Sequence, residues 1–216
     1  MEELRSRYRN HFSRKEFTIS VCIGVFLLLT SFIINFYAGM YATEKASNFV
    51  QDIILSNTPV FDVDIIFAYG PIFLWAIITA LGLYEPKRIP FILKSIALFL
   101  VIRSIFITLT HIGPFPDHIL LDRGTDWISK FTSGADLFFS AHTGEPYLMA
   151  LIFWDQKYLR LILIGISILF GIVVLLGHLH YSIDVASAYF ITFSIYRLAE
   201  IFFAKDKEYF HEKMVS

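Results

Sequence analysis

Apolar positions along this chain fall into long blocks rather than at the three- and four-residue spacing of an amphipathic helix. The blocks run Phe17–Tyr41, Phe61–Tyr84, Ile89–Thr110, Leu161–Leu179 and Ile183–Phe203, each near the ~20 residues that a helix needs to cross a bilayer. A sixth block, Leu137–Trp154, is broken in its first half by Ser140, His142, Thr143, Glu145 and Pro146. Polar groups survive at such depth where protein shields them or a wet cavity reaches them, so this block reads as a span with a functional mouth. The pattern predicts an all-α membrane protein, a bundle of six transmembrane helices. Residues 1–16 form a basic N-terminal segment, 17–203 a single six-span membrane domain and 204–216 a tail.

Charge sets the sidedness. With six spans both chain ends share one side, which carries Arg5, Arg7, Arg9, Arg14, Lys15, Lys87, Arg88, Lys157, Arg160, Arg197, Lys205, Lys207 and Lys213; the other side has only Lys45, Arg123 and Lys130. The excess of Lys and Arg predicts that both termini are cytoplasmic. The first block follows a basic segment but is too long for a cleaved signal peptide and has no small-residue cleavage site, so it reads as a permanent span.

Composition narrows the classes further. The 216 residues are 56% hydrophobic and 17% charged with a net charge of −1, which gives no reason to expect nucleic acid. Cys22 is the single cysteine and lies inside the first span, so neither an intrachain disulfide nor a thiolate zinc cluster can form.

Sorted by side, the polar residues near the membrane gather at the outer face. Asp62 and Asp64 open the second span and read as span-entry or headgroup contacts, while Arg103, Thr110 and His111 close the third. Asp136, Ser140, His142 and Glu145 open the fourth, and His178, His180 and Asp184 occupy the turn between the last two. His178 reads as an interfacial residue, Trp127 and Trp154 as interface anchors, and Lys94 as a side chain that snorkels toward the cytoplasm.

His180 and Asp184 are four residues apart, so on a helix the carboxylate can hold one ring nitrogen and leave the other free to attack. His142 follows Ser140 and precedes Thr143, where hydroxyls and first-turn amides suit phosphate oxygens. Arg103, deep in the third span, must find an anion: either a substrate phosphate or Glu145. A nucleophile with its orienting base, a second histidine as acid and a cation are the parts of phosphoryl transfer through a phosphohistidine.

The motifs resemble those of a known family. "HYSIDVASAYF", His180–Phe190, is similar to the second catalytic motif of the sphingomyelin synthase family, and "GADLFFSAHT", Gly134–Thr143, to its first. "RSIFITLT", Arg103–Thr110, resembles its upstream Arg/Thr motif, with "PFPD" at Pro114–Asp117 and "TPVFD" at Thr58–Asp62 as weaker echoes. The chain departs from the pattern at Gly134 and Ala141, and has Val173 and Val174 where the classical lipid phosphatases carry a Ser-Arg pair. That family is a branch of the wider lipid-phosphatase superfamily. The resemblance implies a lipid-phosphatase-like helical core, with His180 as nucleophile, Asp184 as its orienting carboxylate and His142 as acid. It also implies substrate contacts from Arg103, Ser140, Thr143, Tyr181, Asp136 and Glu145, and no metal or other cofactor. The expected partners are a glycerophospholipid donor and a lipid alcohol such as ceramide, with phospholipase-C-like hydrolysis as a side reaction and the site on the extracytoplasmic or lumenal face. Homo-oligomerisation stays open. Plain lipid phosphate hydrolysis is the first alternative. A transporter using its His, Asp and Glu for protons or cations is the second, and a zinc site on His142, His180 and Asp184 is a lesser variant of it.

Overall fold

The computed structural model describes residues 2–117 and 137–211, which excludes Arg123, Trp127, Lys130, Gly134 and Asp136. Among the described residues the chain is helical and has no strand. The helices are α1 (Glu2–Phe12), α2 (Lys15–Glu44), α3 (Asp64–Tyr84), α4 (Ile89–Leu109), α5 (Ala141–Ile152), α6 (Lys157–Leu176), α7 (Ser182–Phe202) and α8 (Ala204–Glu208). Short 3-10 turns follow at Leu55–Asn57, Pro86–Arg88 and Tyr209–His211.

Five helices, α2, α3, α4, α6 and α7, are long and apolar enough to cross a membrane. Their outward faces carry Phe26 at 68%, Phe73 at 70% and Phe190 at 77% exposure, a surface suited to lipid rather than water. α4 is the central post: 56% of its apolar stretch is buried, against 17–33% for the other four.

The interrupted block behaves differently. α5 has 12 residues and rises about 18 Å, short of the ~30 Å hydrocarbon layer. It nevertheless links the two ends of the bundle. Before it, the Leu137 carbonyl accepts from Thr110 Oγ1 at 3.0 Å, at the end of α4. After it, the Ile152 carbonyl and the Asp155 carboxylate meet Arg88, at the start of α4. Non-helical residues 137–140 and the 153–156 turn supply the missing length. Gly144 permits the close approach this needs, because a Cβ there would fall 2.8 Å from both the Phe99 ring and Thr192 Oγ1.

The first and last described segments both lie at the Arg88 end. Tyr8 donates to the Leu83 carbonyl, and Lys87 Nζ to that of Phe210. One expectation fails here: Lys94 does not snorkel. It is 8% exposed, and its ammonium donates to Asp206 Oδ2 and Ser20 Oγ, both at 2.6 Å. α8 folds Asp206 back under α4, and a buried cation with a carboxylate in reach has no reason to seek water.

Candidate active site

The site is built where α7 begins. α6 ends at Gly177, and His178 turns the chain with φ of 54°, a left-handed conformation uncommon outside glycine. The strained turn brings residues 179–181 back over the helix end, with the Leu179 amide donating to the Val174 carbonyl at 2.9 Å. His178 is 4% exposed and its Nε2 meets the Thr58 carbonyl at 3.1 Å, so it is a buried brace on the approach to α3 rather than an interfacial residue. Phe115 packs edge-on against its ring, with centroids 5.2 Å apart.

α7 starts with the expected pair. His180 Nδ1 lies 3.1 Å from Asp184 Oδ2, with His180 5% and Asp184 0% exposed. The same carboxylate oxygen accepts from the Tyr181 amide at 3.0 Å, which fixes its orientation, while Oδ1 has no hydrogen-bond partner. With Nδ1 held, Nε2 is the ring atom left to act on a substrate.

α5 joins this turn through the Ser140 amide, which donates to the Asp184 carbonyl at 3.3 Å. Ser140 caps α5, its Oγ accepting from the Thr143 amide at 3.4 Å. His142, on the first turn, lies against α3: its ring stacks on Phe67 at 4.2 Å, and Nε2 is 3.3 Å from the Phe67 carbonyl. Pro146 has no N–H for the His142 carbonyl to accept in the helix. Thr143 is fully buried, with its carbonyl accepting from Ser167 and its Oγ1 unpartnered.

The deeper pair is spread over four helices. Arg103, 4% exposed, donates to Asn35 Oδ1 at 3.1 Å, and Glu145 accepts from Trp75 Nε1 at 3.1 Å. The two charges lie within electrostatic reach of each other. Tyr181 is 1% exposed, and its hydroxyl donates to the Gly113 carbonyl at 2.8 Å while accepting from the Val50 amide. Among the described residues, no three His, Cys, Asp or Glu side chains converge to hold a metal ion.

Residues 134–201 match the family model described as PAP2 superfamily C-terminal. That match supports the type 2 phosphatidic acid phosphatase superfamily, whose members are phosphatases and phosphotransferases acting on phosphate esters. It covers α5, α6 and α7, and so both histidines and Asp184. No curated protein and no solved structure matches the chain.

Next to this PAP2-like segment stands a residue that the sequence reading missed. Asp52, in the connection between α2 and α3, is 7% exposed and takes four hydrogen bonds. Oδ2 accepts from the Ser182 amide and hydroxyl, each at 2.7 Å, and Oδ1 from the amides of Ile54 at 2.8 Å and Leu55 at 3.1 Å. Burial pushes its carboxyl up, but these donors outweigh burial and hold it below the usual carboxylate range. The local signal was present: Asp two and three residues before a turn is a common cap. The bond to Ser182, 130 residues away, left no local trace.

Proposed function

We propose that the protein is a membrane phosphotransferase of the sphingomyelin synthase type. It moves a phospho-headgroup from a glycerophospholipid to a lipid alcohol, in a six-crossing bundle with both termini cytoplasmic and the site at the opposite face. The observation that carries this reading is the buried His180–Asp184 contact, joined by the Ser140 amide to the helix that bears His142.

His180 Nε2 attacks the donor phosphorus. A P–N bond forms, the P–O bond to diacylglycerol breaks, and the departing oxygen takes a proton from His142. In the second half the acceptor hydroxyl attacks phosphorus and gives its proton back to His142, and the P–N bond breaks. Asp184 holds Nδ1–H and stabilises the imidazolium that forms. First-turn amides of α5 beside the Ser140 cap face phosphate oxygens together with Thr143 and Arg103, while Asp136 helps to orient His142. Tyr181 supports the turn from behind, and Glu145 balances Arg103. The polar mouth admits a lipid alcohol from the side and water from the front, which gives phospholipase-C-like hydrolysis as the competing outcome.

Purified protein given labelled phospholipid, with and without ceramide, tests this reading. Headgroup transfer to ceramide supports it. Release of free phosphate from phosphatidic acid, with neither transfer nor phospho-headgroup release, replaces it with the lipid phosphate phosphatase that the superfamily match equally accommodates. Arg103→Lys separates two roles. Lost activity in a folded protein marks a phosphate clamp, because a point charge does not reproduce a planar fork; retained activity with collapsed thermal stability marks a structural partner of Asn35 and Glu145.

A further inference from the structure

A helix start presents amides with no intrahelical partner, and they are ordinarily met by a Ser, Thr, Asp or Asn side chain at the cap. α7 has Tyr181 there, whose hydroxyl is engaged away from the helix by the Gly113 carbonyl and the Val50 amide. Asp184 Oδ2, from within the helix, meets the Tyr181 amide. The Ser182 amide goes to Asp52 in a distant connection. The catalytic turn is therefore gripped from two sides, by Asp184 at Tyr181 and by Asp52 at Ser182.

The segment that carries Asp52 is itself anchored. The Ser47 amide donates to the His111 carbonyl at 2.8 Å and the Gly113 amide to the Asn48 carbonyl at 3.0 Å. The Val50 amide reaches the Tyr181 hydroxyl, which in turn donates to the Gly113 carbonyl. Gly113 has to be glycine for this approach, since a Cβ there would meet the Ser47 carbonyl oxygen at 2.2 Å. Residues 47–52, 111–113 and 181–182 thus form one hydrogen-bonded strap across the start of α7.

We propose that Asp52 is a positioning residue for the His180–Asp184 pair, acting as the cap of α7 supplied from another part of the chain. Asp184 Oδ2 must serve the His180 ring and the Tyr181 amide together, at 3.1 and 3.0 Å. That double bond pattern holds only while residues 180–184 keep a tight turn, and Ser182, at its middle, is the residue Asp52 holds. Asp52 touches no reacting atom. The proposal rests on the reading of His180 and Asp184 as the catalytic pair.

The test uses the full-length protein in lipid nanodiscs, with Asp52→Ala and Asp52→Asn beside the unsubstituted chain. Hydrogen exchange is followed at residues 180–185 and, for reference, across α4. Asp52→Ala is expected to speed exchange at the start of α7 by about tenfold or more while leaving α4 unchanged, and Asn, which keeps one acceptor oxygen for the Ser182 amide but offers an NH2 in place of the other, is expected to restore part of the protection. In headgroup transfer, Asp52→Ala lowers kcat by about tenfold or more with KM little changed, because a misplaced nucleophile slows chemistry without weakening binding. Unchanged exchange at 180–185 overturns the positioning role whatever the activity does. Exchange that speeds equally in α4 and α7 overturns it too, since that is general destabilisation. Local loosening in a chain whose unsubstituted form neither transfers a headgroup nor hydrolyses phospholipid or phosphatidic acid leaves Asp52 as the cap of α7 and overturns the catalytic reading of the pair instead.

Discussion

The two ends of the bundle are both rich in charged and polar groups, and they use them in opposite ways. At the Arg88 end the charges neutralise one another. Arg88, 2% exposed, binds Glu85 and Asp155, each at 2.5 Å, and also stacks over Phe153 and Phe210. Lys94 is matched by Asp206, while Glu200 takes both Lys207 and Arg197. At the His180 end two carboxylates, Asp52 and Asp184, bind groups other than Lys or Arg. Asp52 holds amides and a hydroxyl, and Asp184 holds an amide and an imidazole. Asp184 Oδ1, Thr143 Oγ1 and His178 Nδ1 are buried there with no hydrogen-bond partner. A closed ion pair holds helices together but has nothing left to offer a substrate. Buried groups with unused capacity cost stability, and that cost is usual where chemistry is done.

This contrast makes predictions that differ between the ends. The largest effect is at His180. Its replacement by Gln is expected to lower headgroup transfer and hydrolysis by about a thousandfold or more with little change in thermal stability, checked by turnover of labelled donor and by loss of an acid-labile phosphoprotein. If activity persisted, the His180 end would be structural like the other. Asp184→Asn comes next, at about a hundredfold or more in kcat, because the amide presents the wrong partner to Nδ1. Circular dichroism should show the helices intact.

Lys94→Met acts in the opposite sense. It leaves Asp206 buried without its cation, which costs about 3–5 kcal/mol in unfolding while kcat stays near that of the unsubstituted chain. Adding Asp206→Leu is expected to recover most of the loss, read as the melting temperature in detergent. A large fall in kcat at constant stability would erase the distinction between the ends.

The smallest effect sharpens it. The Asp52 carboxyl is held below its ordinary 3.8, so its contribution to stability is complete above that value and lost as pH falls through the lowered one. The gap in melting temperature between the unsubstituted chain and Asp52→Asn should therefore be constant from neutral pH down to about pH 5 and shrink below about pH 4. A gap that widens on acidification would mean the carboxyl is not stabilised as its four donors indicate.

Some of this was legible in the residues alone. The five helices long and apolar enough to cross a membrane follow from block length, because a lipid-facing helix must be apolar over about 20 residues. The four-residue spacing of His180 and Asp184 pointed to their contact, but the reason is not a shared helix face: the helix starts at Ser182, and Asp184 meets His180 by folding back over its first turn. Span length does not extend to α5, where the chain passes between the ends of the bundle with only 12 helical residues because α6 and α7 pack along it and shield it. The placement of Lys94 and His178 depended on what packed over them: Asp206 from α8 for one, and the turn to Thr58 for the other. Asp52 is the clearest case. Its capping of the nearby turn is local and carries a sequence pattern, but its hold on Ser182 joins residues 130 apart, and only the folded chain brings them together. Local spacing and solvent transfer are properties of the sequence, and which distant group meets a given donor is a property of the packing.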